Sequence, residues 1–500
     1  MSASKNFSPF FFAENRVYNL TLFGLTILEL FLFKLAYPYP DFFSDSYSYI
    51  AAARDQLDVN IWPIGYSRFL AFFHLLSHSG SLLVWFQYLS FFGAALYFYH
   101  TITYLYQPGK STRTFLCLFL FFNPLFFYLA NYVTSDILFI SMSTLWLTQL
   151  IWLVHRPRIY QGFILSVLVF VMFTFRYNAL IYPFITAGAF LVSKQKGWIK
   201  ALGIVLGPLF ILPFIIWSSH AAKEITGTAQ FPPILGGWQW GNNALYMRGF
   251  IKEDSSAFPT VATAELDSIA RRYFNQPSSP QDQLADYVAN FFIREPEAPL
   301  KQYLDLHFHA KTNREEVVAW GKAATVFDQY GKYLIRRHPL AFCRYYLLVN
   351  SKNYFLPPLE KLEIYNLGST RMWKTGQKWF DYQNPNMWCI SNTLQGFLLA
   401  PFQYFFLALN IYYIIVLSLF IRRRGFRRIL PSIRYAMLLV TLFLVLNAAF
   451  SIFANIIVIR YQIFPMLVFF TFAMLLTDLL ERFSTEPQKS TPQSAFTHVL

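Results

Sequence analysis

Three carboxylates stand at the ends of long apolar runs, placed where acid–base chemistry could meet a membrane surface. Asp41 and Asp45 follow the first run directly, and Asp136 opens the fourth after Asn131-Tyr132-Val133-Thr134-Ser135. Arg68, Arg176 and Arg460 fall at the same depth along the chain's threading. Moving a sugar from a polyprenyl phosphate to an acceptor needs such a set. A carboxylate takes the acceptor's proton, cations hold the leaving phosphate, and a groove admits the lipid. A plainer reading makes Asp45 and Asp136 first-turn residues favoured by the helix dipole. The arginines would then pair with them and organise the surface. Residue types alone leave both readings open.

Other constellations carry less. His74 and His78 share a helix face at a spacing that suits a metal, yet no carboxylate accompanies them as in an H-E-x-x-H motif. No metal is assigned, and dependence on a divalent ion stays open. His307-Phe308-His309 reads as an exposed pair. Gly236 to Asn243 brings Trp238 and Asn242 together, an aromatic face and an amide of the kind that stack on and bond to sugars. The same run also reads as an interfacial aromatic turn. Cys117 lies in an apolar run, and Cys343 and Cys389 lie in the polar part, with a disulfide between these two open.

The elements that must position these groups are membrane helices. Of 500 residues, 55% are hydrophobic and 13% charged, against roughly 25% charged in soluble proteins. A span needs about 20 mostly apolar residues. Runs of that kind fall near 18–37, 81–106, 114–130, 136–154, 160–175, 177–193, 199–219, 391–420, 433–453 and 456–480. Ten helices are therefore expected, the pair at 160–193 being the least regular. With the N-terminus inside, Lys110 and Arg113, Arg156 and Arg158, Lys194 to Lys200, and Arg422 to Arg428 all fall in cytoplasmic turns, as the positive-inside rule requires. The net charge of +15 is thus dispersed as topology signals, and nucleic acid is not an expected partner. The first run is followed by Pro38-Tyr39-Pro40 and reads as an uncleaved anchor. Glu29 reads as pairing with another helix, and Lys34 as snorkelling outward.

This threading divides the chain into a seven-helix module over 1–219, a polar outer block over 220–390, three C-terminal helices over 391–483 and a cytoplasmic tail over 484–500. Within the first outer loop, 38–80, Ser44 can cap a short helix through Asp45, Tyr49 and Ala53, and Tyr66 to His78 has helical spacing. Both read as lying on the membrane surface. The outer block alternates Pro-rich breakers with helical patterns at Asp282 to Ile293 and Asn313 to Ile335. A small, mainly helical outer domain is expected. Met1 to Asn15 and Ser484 to Leu500 read as disordered tails. The N-x-S/T triplets, at Asn6 and Asn19, lie outside the outer loops, which favours a bacterial inner membrane over a secretory one.

Several short motifs then resemble one family. They are Ser44-Asp45-Ser46-Tyr47-Ser48-Tyr49, Trp62-Pro63-Ile64-Gly65-Tyr66, Asn123-Pro124 with Thr134-Ser135-Asp136, Phe175-Arg176-Tyr177-Asn178 and Arg460-Tyr461-Gln462. In order and outer placement they are similar to the polytopic GT-C glycosyltransferases, such as protein O-mannosyltransferases and lipid A aminoarabinose transferases. The likeness covers the first 200 residues well and the rest mainly by topology. It implies a GT-C fold, an inverting displacement of polyprenyl phosphate or pyrophosphate, and an active site facing the periplasm or exterior. It implies Asp45 as general base, with Asp136 organising the site, and a lipid-linked sugar as co-substrate rather than a bound cofactor. Tyr49, Arg68, Arg176, Trp238, Asn242, Arg460 and Tyr461 are the expected substrate contacts. Many relatives carry Asp-Glu where this chain has Asp45-Ser46, and some carry a basic residue where Trp62 precedes Pro63, which leaves Arg68 as a substitute. The rival reading is a transporter or flippase of a lipid-linked saccharide, a class that often shows inverted repeats and charges near the bilayer midplane.

Overall fold

The computed structural model describes residues 6–275 and 291–485. Among them every regular element is helical. Eight helices are long and apolar enough to cross a membrane: Arg16–Ala36, Gly80–Tyr106, Lys110–Asn131, Asp136–His155, Gly197–Thr226, Leu394–Arg422, Pro431–Ala454 and Ile459–Ser484. The chain is an all-α multi-pass membrane protein. The expected pair at 160–193 is shorter, Gln161–Phe175 and Tyr177–Val192. At 1.5 Å per residue, 15 residues span about 22 Å, short of a core of about 30 Å. Of the ten expected helices, eight are thus long enough to span by themselves, and the pair expected to be least regular is short and meets at Arg176, whose backbone is extended.

Burial sorts the helices into centre and rim. Asp136–His155 and Ile459–Ser484 are 83% and 78% buried over their apolar windows, whereas Arg16–Ala36 and Gly197–Thr226 are 22% and 17% buried. The two central helices carry Asp136 and Arg460 in their first turns, so both charges enter the interior at one end of the bundle. Polar bonds fix the central packing. Trp146 stacks on Tyr182 at 4.2 Å and donates its Nε1 to Thr186 Oγ1 at 3.0 Å. Trp152 Nε1 donates to Thr101 Oγ1 at 3.1 Å. Pro124 sits at the start of Pro124–Asn131, where its missing N–H costs nothing, and Asn123 Oδ1 accepts the Leu125 N–H at 3.0 Å.

The loop 38–80 forms the two expected helices, Ser44–Arg54 and Gly65–Leu76. Its cap differs from expectation. Phe43 is the capping residue, with its N–H donated to Ser46 Oγ at 3.3 Å, while Ser44 Oγ donates to Asp45 Oδ1 at 3.3 Å. A one-residue bridge ties this loop to the start of the Asp136 helix. Asp41 N–H donates to Asn131 O at 2.8 Å, and Val133 N–H to Asp41 O at 3.2 Å. Asp45 and Asp136 are thereby drawn to one place.

The block 220–390 is mainly helical, with Asn313–Arg337 its longest element. Gly236 to Asn243 is not a turn but lies in the helix Leu235–Arg248. A Cβ on Gly237 would stand 2.0 Å from Ala324 O, and one on Gly331 would stand 2.2 Å from Trp240 O. These glycines let two helix backbones meet directly, the same device that small residues provide between membrane helices. The buried Arg248 grips Asp267 with two bonds of 2.6 and 3.0 Å. The helix from Gly197 runs to Thr226, so the block begins later than 219. Its last part, from 356 to 393, is largely irregular and packs back on the first helix. Tyr365 Oη donates to Tyr39 O at 3.0 Å, and Ile390 N–H to Ala36 O at 2.9 Å.

The N-terminal segment is not a free tail. Helical turns cover Phe7–Glu14, and the Phe7 ring packs on Trp152 and Tyr104 at 4.9 and 5.3 Å. Four apolar rings between Phe7 and Phe12 give that segment surface to bury. The expected helix at Asp282 to Ile293 lies outside the described residues up to 290, and so does the tail beyond 485.

Candidate active site

Six charges, three buried and three half-buried, meet where the central helices begin. Asp45 is 6% exposed. Lys361 Nζ donates to its Oδ1 at 3.0 Å, and both terminal nitrogens of Arg460 reach its Oδ2 at 3.3 Å. Arg460 also faces Asp136 Oδ2 at 3.6 Å and Glu360 Oε2 at 3.6 Å. Arg176 pairs with Asp136 Oδ1. Three carboxylates thus balance three cations, which is what makes burial of so much charge tolerable. The Phe43 ring lies beneath two of the cations, Lys361 Nζ at 4.6 Å and Arg460 Cζ at 5.0 Å. Tyr461 receives the other face of the cluster, with Arg176 Cζ 4.5 Å from its ring.

The cluster separates two cavities. One, of about 80 Å³, lies among the helix ends and is lined by Asp136, Arg176, Asn178 and Gln462 together with Phe175, Phe450 and Ile457. The other, of about 350 Å³, lies against the block 220–390 and is lined by Trp62, Trp238, Trp320 and Trp373 with Lys361 and Glu360. Asp45, Trp62, Arg460 and Tyr461 border both. Polar atoms at this junction are incompletely bonded. Gln462 is fully buried, and neither its Oε1 nor its Nε2 has a hydrogen-bond partner among the described residues. Arg460 Nε and Glu360 Oε2 face each other without a hydrogen bond.

Local structure explains how the chain holds this arrangement. Arg460 starts its helix after the irregular stretch 455–458, which Asn350 clamps. The Asn350 Nδ2 donates to Ile452 O at 2.8 Å and Asn455 O at 2.6 Å, and its Oδ1 accepts the Ile457 N–H at 3.0 Å. Pro358 O accepts the Ile459 N–H at 2.9 Å, which brings the following Glu360 and Lys361 beside Arg460. Glu360 takes a left-handed backbone conformation, φ 55°, uncommon for a residue with a side chain. Tyr132 Oη donates to Lys361 O at 2.8 Å, and Asp41 Oδ1 accepts the Asn366 N–H at 2.8 Å.

These surroundings set the proton affinities. Burial pushes the Asp45 carboxyl up, but Lys361 and Arg460 together outweigh it and hold it below the usual carboxylate range. Asp45 is ionised at neutral pH. Asp41 goes the other way, with burial carrying it up to about 7 against the bond from the Asn366 N–H. Burial also pushes Tyr49 up to about 12, so it stays a phenol, bonded to Ser135 Oγ at 3.3 Å.

Of the residues expected from sequence, Asp45, Asp136, Tyr49, Arg176, Arg460 and Tyr461 line the first cavity together. Trp238 lies on the wall of the second. Asn242 and Arg68 border neither. Asn242 is fully buried, and its Oδ1 accepts the Phe292 N–H at 3.2 Å, a bond internal to the outer block. Arg68 pairs with Asp58 at 2.7 Å on the exposed side of its helix, so it does not stand in for a basic residue before Pro63. His74 stacks between His78 and Trp379, and His78 bonds to Asp381. His307 pairs with Glu265 at 3.1 Å. Lys34 donates to Asn131 Oδ1 at 3.0 Å, while Glu29 Oε2 has no hydrogen-bond partner among the described residues. All three cysteines are free, which removes the open disulfide. Among the described residues no group of three or more His, Cys, Asp or Glu is arranged to hold a metal.

Sequence reasoning missed Glu360, Lys361 and Arg294. Arg294 lines the second cavity and faces Glu360 at 3.6 Å. The available signal was an acid–base pair two residues after Pro357-Pro358, in a stretch too apolar to be a free loop. Comparison with known proteins gave no match: no family model, no curated protein and no solved structure is significantly similar to this chain.

Proposed function

We propose that this chain is a membrane glycosyltransferase of the GT-C type, moving a sugar from a polyprenyl-phosphate carrier to an acceptor on the outer face of the membrane. The observation that carries the reading is Asp45, an ionised carboxylate on the border between an apolar, cation-bearing cavity among the helix ends and a wider aromatic cavity under the outer block. The first suits a lipid phosphate. Arg176 and Arg460 would hold it by charge-assisted bonds in poorly hydrated surroundings. The second suits an acceptor. In the reaction, the acceptor oxygen bonds to the anomeric carbon as the bond from that carbon to the phosphate oxygen breaks. Asp45 takes the hydroxyl proton, and the phosphate leaves with the electron pair toward Arg176 and Arg460. Attack from the face opposite the phosphate inverts the anomeric centre.

Asp45 is itself held by Lys361 and Arg460 before the donor arrives. A phosphate drawing on Arg460 would loosen that hold and make Asp45 a stronger base when it is needed. The short helices Gln161–Phe175 and Tyr177–Val192 complete a ten-crossing topology in this proposal, with the cluster facing the periplasm or exterior of an inner membrane. Transfer of labelled sugar from a polyprenyl phosphate by purified protein tests it. A new glycosidic bond supports the enzyme, whereas vesicle-to-vesicle movement of intact lipid-linked sugar without bond formation would make the chain a flippase.

A further inference from the structure

Resting on the transferase reading, we propose that the outer cavity is built for a saccharide acceptor, so that the hydroxyl offered to Asp45 belongs to a sugar ring and not to a polypeptide side chain. Four indoles, of Trp62, Trp238, Trp320 and Trp373, line one cavity of about 350 Å³ that Asp45 also borders. That volume lies in the usual small-molecule range of about 300–1,000 Å³. Trp373 is 61% exposed, and its ring lies flat on Tyr47, with centroids 4.5 Å apart and planes 5° apart. Trp320 meets Trp238 with ring centroids 3.8 Å apart. Trp238 is 4% exposed, and its Nε1 has no hydrogen-bond partner among the described residues.

A pyranose has C–H patches on its faces and hydroxyls round its edge. Aromatic faces take the first, and mixed donors and acceptors take the second. The cavity supplies both, since Ser48, Asn60, Asn313 and Arg294 stand among the indoles. Peptides are recognised by pairing with a strand edge, by laying a helix in a groove or by docking a polyproline segment on aromatic rings, and the peptide arm of the test below decides against that last rival. The described residues contain no strand to offer an edge.

The test uses the full-length protein in lipid nanodiscs. Probes are a neutral glucan trisaccharide, an N-acetylglucosamine trisaccharide, a uronate-containing trisaccharide and a Ser/Thr-rich nonapeptide. Saturation-transfer NMR reads the sugar C–H protons, and donor consumption is followed separately as loss of labelled sugar from polyprenyl phosphate to any acceptor, saccharide, peptide or water. Saturable binding of at least one trisaccharide is expected, weakened about tenfold by W373A or W238A and retained by W373F. W388A, outside the cavity, serves as the control and binds like the parent. Because Trp373 is exposed, W373A keeps the test valid if W238A fails to fold. Donor consumption without saccharide binding, or binding indifferent to W373A, would overturn the saccharide site and leave the transferase reading standing. Binding of the nonapeptide alone would give the cavity to a polypeptide. Absence of donor consumption would remove the reading on which the assignment rests.

Discussion

Replacing Asp41 by Asn should stabilise the protein increasingly as pH rises from 5 to 8. Asp41 is 1% exposed, its Oδ1 accepts one backbone N–H, and its Oδ2 has no hydrogen-bond partner among the described residues. Burial places its pKa at about 7, against about 3.9 in an unfolded chain. Lys34 interacts with Asp41 electrostatically, but its amine donates to Asn131 and forms no ion pair with the carboxyl. A carboxyl raised on folding gives stability that is whole below the unfolded pKa and is lost as pH rises through the folded one. Between those limits the folded state pays about 1.4 kcal/mol per pH unit, or ~4 kcal/mol in all and ~3 kcal/mol between pH 5 and 8. Asn keeps the acceptor for Asn366 and cannot ionise. Thermal melts of parent and Asp41→Asn across that range should therefore diverge by a few degrees, the gap levelling off above pH 7. A gap that stays constant from pH 5 to 8 would refute the reasoning, because it would mean that Asp41 is already ionised in the fold at pH 5.

Three further outcomes follow from the geometry. In a cysteine-free background, which must also remove the exposed native Cys343, cysteines at Ser111 and Arg423 should resist an impermeant thiol reagent in intact cells, while one at Val261 should react; labelling of 423 from outside would invert the topology. These positions are exposed, whereas a side chain at Gly425 would meet the Phe420 ring at 2.7 Å. Gly237→Ala should cost about 1–3 kcal/mol, measured by thermal melts, because its Cβ would strike the Ala324 carbonyl, and near-parental stability would mean the two helices slide freely. Arg176→Ala should weaken binding of labelled polyprenyl phosphate by roughly 10- to 100-fold, the worth of a charged hydrogen bond, while Arg68→Ala should bind as the parent does.

Much of the fold was legible because apolar length is a local property. The eight long helices, the two helices of the first outer loop and the start of Asn313–Arg337 could all be read from runs and breakers. Asp45, Asp136 and Arg460 could be grouped because each stands at the same end of an apolar run, although the Asp41–Tyr132 bridge and the Asn350 clamp, which bring them into contact, left no local mark. Glu360 and Lys361 were hidden. Lys361 reaches Asp45 across 316 residues, through a chain path set by Pro358, Tyr132 and the left-handed turn at Glu360. Nothing local marks that convergence. Gly237 misled for a related reason, since a glycine-rich stretch signals a turn when alone and close helix contact when a partner such as Ala324 is opposite. Arg68 failed because its placement was inferred from depth, while helix rotation turned it outward to Asp58.

The central claim is that Asp45 takes the acceptor's proton. Single-turnover transfer from a labelled polyprenyl-phosphate donor, with Asp45→Asn compared with Asp136→Asn and Glu360→Gln, tests it most directly. A positioned base contributes about 10²- to 10⁴-fold. Asp45→Asn should lose that much of the rate constant while binding the donor within a few-fold of the parent, because the amide adds no repulsion toward phosphate and leaves Arg460 free to hold it. The parent's rate at limiting donor, which reports the donor-free protein, should stay level down through neutral pH and fall only below the usual carboxylate range, as the depressed proton affinity of Asp45 requires. Near-parental transfer by Asp45→Asn, with the loss appearing in Asp136→Asn or Glu360→Gln instead, would contradict the assignment.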